Sequence, residues 1–314
     1  MSELPTFFVD RVLPDGLDTL FDGRAQLVGP DPDDLRSADA AIAGGEPWGA
    51  ARMDGASPAL AVISRAGIGY DAVDLVAATA RGIVVCNAPE APTVSTAEHA
   101  VTLLFMAAKR VSVSQQRLRL ASGDYFAAND GLELEGRTLG LVAYGRIARR
   151  VGQACRALGM RVIAYDPYLA ASEYSPDVEL VELDDLLARA DLISLHAPLT
   201  DETRHLFDAA TFERTKPGVI LVNTARGGLV DHDALLEALD DGSVHAAGLD
   251  VTEPEPLPPD HPLLHRDDVV VTPHIASSTD RGKRRLYEHA IANALAVISG
   301  DRPATVVNPE VYER

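Results

Sequence analysis

Residues 139–150 read LGLVAYGRIARR, an apolar run that turns at Gly145 into a helical pattern. A turn of this kind can cradle a phosphate, because backbone N–H groups at a helix start are unpaired and point at an anion. The dinucleotide fingerprint G-x-G-x-x-G/A falls on Ala143-Tyr144-Gly145-Arg146-Ile147-Ala148 and is met at two of its three small-residue slots. Gly145 would let backbone approach a pyrophosphate, and Ala148 suits close packing of helix on strand. Ala143 fits the first slot only if its φ is negative, since a left-handed position disfavours a β-carbon. A Walker loop starting at Gly140 is the rival phosphate reading, and it fails because Arg146-Ile147 replaces the Lys-Ser/Thr pair. Taken alone, the segment reads equally as an ordinary strand-to-helix turn. The next strand, RVIAYDP, ends in Asp166, 21 residues after Gly145. A carboxylate there would accept the ribose hydroxyls and repel a 2′-phosphate, which favours NAD over NADP. A turn-starting Asp before Pro167 is the alternative.

These groups need a sheet to hold them. Short Val/Ile/Leu runs at 6–10, 59–65, 82–87, 139–143, 161–166, 191–197, 218–223, 246–251 and 269–273 read as strands. Helix-period segments fill the gaps, and continuously apolar strands suit a parallel sheet covered on both faces. Residues 95–111 form a long apolar helix with capping-box spacing between Ser95 and Glu98, and a last helix is expected at about 279–299.

The chain has 314 residues, 46% hydrophobic and 24% charged, which predicts two folded domains. Its formal charge of −19 and lack of a basic stripe argue against nucleic acid as a partner. The acidic start and the absence of a long apolar run predict neither secretion nor a membrane span, and hence a cytoplasmic protein. Cys86 and Cys155 are expected as buried free thiols, with no metal-ligand spacing around them.

Several segments in order then resemble the D-isomer-specific 2-hydroxyacid dehydrogenases: ISRAGIGYDAVDLVAATARGIVVCNAP, LGLVAYGRIA, LHAPLTDETRHLF, VNTARGGLVD, GLDVTEPEPLPPDHPLL and VTPHIASST. The resemblance runs from about residue 59 to 305 and implies NAD-dependent interconversion of small 2-oxo and 2-hydroxy acids. It places the catalytic arginine at Arg226, the carboxylate at Glu255 and the proton-donating histidine at His274. Each residue type suits its task. A guanidinium can hold a carboxylate through paired N–H donors. An imidazole exchanges protons near neutrality, and a carboxylate can fix its tautomer. The nicotinamide supplies the hydride.

The resemblance also points to Ile68 and Gly69, with Arg65 nearby, for the substrate carboxylate, although RAGIGYD alone reads as an ordinary turn. Cofactor contacts are implied for Tyr144, Gly145, Arg146, Ile147, Asp166, His196, Pro198, Thr224, Ala225 and Asp250. The other histidines, His99, His205, His232, His245, His261, His265 and His289, show no carboxylate-partner pattern and are expected to be structural or surface residues. The implied fold is α/β, with two doubly wound parallel-sheet domains: a Rossmann-type cofactor domain at 106–284 inserted in a flavodoxin-like substrate domain at 1–105 and 285–314. A homodimer is implied as well.

The segment PEAPTVSTAEHA lacks the glycine and asparagine common in the family, which leaves the local loop geometry open. The glutamine that formate dehydrogenases carry at the Glu255 position is absent here. No room is expected for the regulatory domain of long phosphoglycerate dehydrogenases. Residues 122–136 carry four acidic side chains and no basic one, so glyoxylate, hydroxypyruvate or a larger uncharged 2-oxo acid is expected ahead of phosphohydroxypyruvate. Phosphoglycerate dehydrogenase and an NAD(H)-sensing, corepressor-like binding protein are the alternative functions.

Overall fold

Twelve strands among the described residues, all paired in parallel, form two sheets in the computed structural model, which describes residues 4–121, 123–127, 129–170 and 175–313. The expected loop at 122–136 therefore lies partly outside the described residues.

The first unit comprises residues 1–93 and 278–314. Its strands are β1 (Thr6–Val9), β2 (Gln26–Val28), β3 (Ala40–Ala43), β4 (Val62–Arg65) and β5 (Val84–Cys86), in the order β2-β1-β3-β4-β5. Helices α1 (Ala50–Asp54) and α2 (Leu75–Ala80) follow β3 and β4. Successive side chains of a strand point to opposite faces, which explains why these strands are apolar throughout. Phe7, Ile42, Val62 and Val84 cluster with Tyr287, Ala290, Ile291 and Ala294 of the last helix. Phe8, Ala41, Ile63 and Val85 cluster with Trp48, Met53 and Ala77.

The second unit comprises residues 94–277. Helices α3 (Thr93–Ala108) and α4 (Val111–Arg119) precede its strands. These are β6 (Thr138–Val142), β7 (Arg161–Tyr165), β8 (Glu179–Leu180), β9 (Leu192–Leu195), β10 (Val219–Asn223), β11 (Val244–Leu249) and β12 (Val269–Val271). Their order, β12-β11-β10-β9-β6-β7-β8, is the doubly wound order with its reversal between β6 and β9. Helices α5 (Arg146–Ala157), α6 (Leu183–Arg189), α7 (Ala209–Phe212) and α8 (His232–Asp240) connect the strands. Asp208 and Asp231 cap α7 and α8 through the backbone N–H groups of Thr211 and of Asp233 and Ala234. The chain returns to the first unit through α9 (Asp280–Ile298), whose cap Thr279 accepts the Gly282 N–H.

The division falls at 93/94 and 277/278, against the expected 105/106 and 284/285. The apolar helix starts at Thr93, two residues before the expected cap, and packs on the second sheet, where Leu103 lies against Gly248 of β11. Cys86 and Cys155 are buried free thiols, and burial pushes both up to about 12. No helix among the described residues is long and apolar enough to cross a membrane.

Asn308 stitches the returning segment to β5. It is 1% exposed, accepts the Val85 N–H at 2.8 Å, and donates to Ile83 O and Thr79 Oγ1, both at 3.0 Å. Asn308→Ala would orphan a buried N–H and carbonyl, a loss of about 2–4 kcal/mol. Trp48 is the one tryptophan of the chain and lies in this unit, so the urea midpoint of its fluorescence should fall; an unchanged midpoint would refute the role of Asn308.

Candidate active site

The turn that carries the dinucleotide fingerprint is built where β6 ends. Ala143 N–H donates to Tyr165 O at 2.8 Å, and Tyr144 N–H donates to Asp166 Oδ2 at 2.9 Å. Asp166 Oδ1 accepts the Tyr168 N–H at 3.0 Å, so the carboxylate at the end of β7 braces the turn after β6. Gly145 is the N-cap of α5, has no side-chain cap, and would project a Cβ into open space. That is room for a ligand to approach the backbone. The Tyr144 ring is buried beneath the Arg149 guanidinium, 4.8 Å away, so only its backbone is offered to the turn.

Ala143 corrects the sequence reading. Its φ is +66°, the left-handed position that the sequence argument required it to avoid. The first slot of the fingerprint thus keeps its glycine-like conformation without glycine, held by the two hydrogen bonds of the turn.

The remaining implied cofactor residues follow β9 and β10. His196 N–H donates to Val142 O, and its Nε2 lies 3.0 Å from Ser194 Oγ. Burial pushes the imidazole down to about 4, so it is neutral at physiological pH. The stability it contributes is present above its ordinary value and is lost as the pH falls through about 4. The Pro198 carbonyl accepts the Thr203 hydroxyl, and Ala225 N–H donates to Asn223 Oδ1. The Thr224 hydroxyl is buried with no partner among the described residues. An orphaned hydroxyl, an open cap and a ribose-type carboxylate on one sheet edge fit a dinucleotide.

Arg226 begins the loop after β10. Asn223, wholly buried, holds that loop by donating from Nδ2 to Arg226 O at 2.8 Å. Gly227 is required by close approach, because a Cβ there would collide with the Thr252 carbonyl and lie 2.7 Å from Glu253 N. The loop carrying Arg226 therefore rests backbone to backbone on the segment leading to Glu255. Glu255 Oε1 lies 2.6 Å from His274 Nδ1, with both side chains half-exposed. Burial raises the Glu255 carboxyl, but the hydrogen bond and charge of His274 outweigh it and hold the group below its ordinary value. The His274 Nε2 has no partner among the described residues and is the nitrogen available to a substrate. His274 has φ +53°, set by the turn that Asp250 organises through the Thr272 hydroxyl and the Ile275 and Ala276 N–H groups.

Sequence reasoning missed two histidine contacts. His99 Nε2 lies 3.3 Å from Asp250 Oδ1 and 2.9 Å from Thr272 Oγ1, and His205 Nε2 lies 3.6 Å from Glu253. Both histidines thus have the carboxylate neighbours that the sequence did not reveal, because the partners are remote in the chain.

In the first unit, the 67–69 loop has its carbonyls engaged. Gly67 O accepts Ala88 N–H, Ile68 O accepts Asn87 Nδ2 and Gly69 O accepts Arg65 Nε. Its N–H groups have no such partner among the described residues, as a carboxylate-binding loop requires. Arg65 is buried and also donates to Ala43 O, so its Nε and Nη1 shape the loop.

Residues 101–276 match the D-isomer specific 2-hydroxyacid dehydrogenase, NAD binding domain. A Mycobacterium tuberculosis D-3-phosphoglycerate dehydrogenase is 42% identical over 89% of this chain, which spans only 54% of that protein. The glyoxylate reductase of Thermofilum pendens is 39% identical over 82% of this chain and 78% of its own length. A crystal structure of the TT0316 protein from Thermus thermophilus superposes with a TM-score of 0.87 at 38% identity, covering 96% of this chain and 99% of that one. Together with the two parallel sheets, these define a two-unit α/β fold whose second unit matches an NAD-binding domain. The chain belongs to the D-isomer specific 2-hydroxyacid dehydrogenase family.

Left-handed Ala143 generates a test. An alanine there costs about 1–2 kcal/mol, whereas glycine costs about 0.5–1 kcal/mol through the unfolded chain. Ala143→Gly is therefore expected to stabilise the second unit by about 0.5–1 kcal/mol, read as a higher melting temperature. A lower one would show the turn to be unstrained.

Proposed function

We propose that the protein is an NAD-dependent dehydrogenase that reduces a small 2-oxo acid, of the glyoxylate or hydroxypyruvate kind, to the 2-hydroxy acid. The observation that carries this reading is the His274–Glu255 pair at 2.6 Å, set beside an Arg226 loop packed on the same segment. Arg226 holds the substrate carboxylate or polarises the adjacent carbonyl. The amides of Ile68 and Gly69 are assigned to the carboxylate. His274 gives a proton from Nε2 to the carbonyl oxygen while Glu255 holds Nδ1–H and orients the ring. NADH, when bound, supplies the hydride; Gly145, Arg146 and Ile147 offer backbone N–H groups to its phosphates and Asp166 its carboxylate to the ribose. A family-type homodimer belongs to the same reading, and sedimentation would test it.

A second substrate, phosphohydroxypyruvate, is favoured by the 42% identity to phosphoglycerate dehydrogenases. NADH oxidation with glyoxylate, hydroxypyruvate, pyruvate, phosphohydroxypyruvate and larger 2-oxo acids tests the reading. A folded, NADH-binding protein inert with all of them would instead support the sensing alternative.

Asp166 predicts a higher kcat/KM with NADH than with NADPH, and parity between the two would remove its ribose role. Glu255→Gln keeps the side-chain shape but removes a charge 2.6 Å from the imidazole. The amide no longer offers the ring a charged acceptor at Nδ1, so kcat/KM for reduction should fall about tenfold or more while NADH binding is retained. Equal kcat/KM in wild type and variant would mean that Glu255 does not position His274.

A further inference from the structure

The first unit holds a cation that the proposed mechanism does not use. In the order β2-β1-β3-β4-β5 the connections diverge between β1 and β3, so a crevice opens at their carboxyl ends, where open parallel sheets take ligands. Arg11 follows β1 at that edge, and Gly44 and Gly45 follow β3. A Cβ on Gly44 would collide with Arg11 Nε, and one on Gly45 would lie 2.6 Å from Arg11 Nη2. The two glycines thus form a floor on which the guanidinium lies. Its side chain is 49% exposed, and its Nε is 3.9 Å from Asp10 Oδ1. Asp10 is already engaged by Gly44 N–H at 2.6 Å and Trp48 Nε1 at 3.3 Å. The two terminal nitrogens of Arg11 have no hydrogen-bond partner among the described residues.

The same edge carries the 67–69 loop. Arg65 joins the two places directly, donating to Ala43 O beside the glycine floor and to Gly69 O in the loop. β1 and β4 are two strand spacings apart, about 10 Å, and Arg11 shortens that gap by lying back over the end of β3. The edge therefore presents unpaired amides for one anion and a guanidinium within a small molecule's length for another.

We propose that Arg11 binds an anionic group at the far end of the substrate, so that the preferred 2-oxo acid carries a second carboxylate or a phosphate beyond the reacting carbonyl. This rests on the reading that the Ile68 and Gly69 amides take the 2-oxo acid's own carboxylate. It replaces, for the preferred substrate, the uncharged glyoxylate- or hydroxypyruvate-like acid named above, an expectation drawn from the 122–136 segment and not from a cation that follows the first strand.

Two pairs test it: the length-matched 2-oxoglutarate and 2-oxovalerate, and phosphohydroxypyruvate against hydroxypyruvate, which lacks the phosphoryl group. Wild type should prefer the anionic member of one pair, and which pair responds separates carboxylate from phosphate. Arg11→Met should lower kcat/KM for that member about tenfold or more, the loss expected for one charge-assisted contact, and leave the neutral member unchanged. Arg11→Lys should recover part of the loss. Calorimetric titration of the same compounds in the presence of NAD+ reads binding without turnover. Selective loss of the anionic member's binding in Arg11→Met supports Arg11 even if the protein proves catalytically inert, an outcome that would count only against the enzymatic reading. No anionic preference in either pair, or equal losses for both members, overturns the Arg11 assignment. Failure of wild type to bind any 2-oxo acid overturns it together with the substrate reading.

Discussion

Asp250 is 1% exposed, and burial alone would raise its carboxyl above the ordinary value. Contacts from His99 and the Thr272 hydroxyl and the Ile275 and Ala276 amides outweigh that penalty and hold the carboxyl below its ordinary value. The ionised group then acts as the centre around which residues 272–276 fold. Its backbone carbonyl accepts the His274 N–H at 2.8 Å, which fixes the imidazole's attachment point from below. Without those donors the buried charge would be costly, and without the charge the turn would have nothing to wrap. The Glu255–His274 contact follows from this, because a 2.6 Å approach between half-exposed side chains persists only where one partner's backbone is held.

Ala143 and His274 are both left-handed at the carboxyl edge of the second sheet, and they are held by the same means. In each case an aspartate accepts N–H groups of the turn: Asp166 takes Tyr144 N–H, and Asp250 takes Ile275 and Ala276 N–H. Each left-handed residue costs about 1–2 kcal/mol, comparable with a charge-assisted hydrogen bond, so one or two such bonds suffice to retain it. Histidine tolerates the region better than most residues, and alanine has the smallest side chain after glycine. Strain of this kind belongs where the chain must turn sharply to present backbone or a ring to a ligand.

This explains which parts of the molecule were legible in the sequence. Strands rich in Val, Ile and Leu announced themselves, because sheets covered on both faces demand continuous apolar runs. β3 did not: AAIA carries no β-branched signature beyond Ile42, yet Ala40, Ala41 and Ala43 are fully buried. Small residues suit a central strand pressed by neighbours on both faces, and that is a tertiary requirement. β2 and β8 are edge strands of three and two residues, too short for a periodic signal. At the site, Gly145 and Asp166 were readable from spacing, whereas Arg226, Glu255 and His274 depended on the family resemblance. The backbone angle of Ala143, the His99–Asp250 contact and the Arg11 floor left no local trace, since each is created by strands that meet only in the fold.

The net charge of −19 was informative about one class of ligand and silent about another. A nucleic acid must lie along an extended surface and feels the summed field of many exposed carboxylates. A small dianion or a dinucleotide phosphate enters a crevice, and at physiological salt exposed charges more than about 8 Å away are largely screened from it. Its binding is therefore decided by the groups it touches. The groups proposed to meet such ligands are, in the first unit, the amides of residues 67–69 and the Arg11 guanidinium and, in the second, the open N-terminus of α5 and the Arg226 guanidinium. Each is backbone or arginine, a donor that burial does not readily deprotonate, so an acidic chain can still hold anionic ligands.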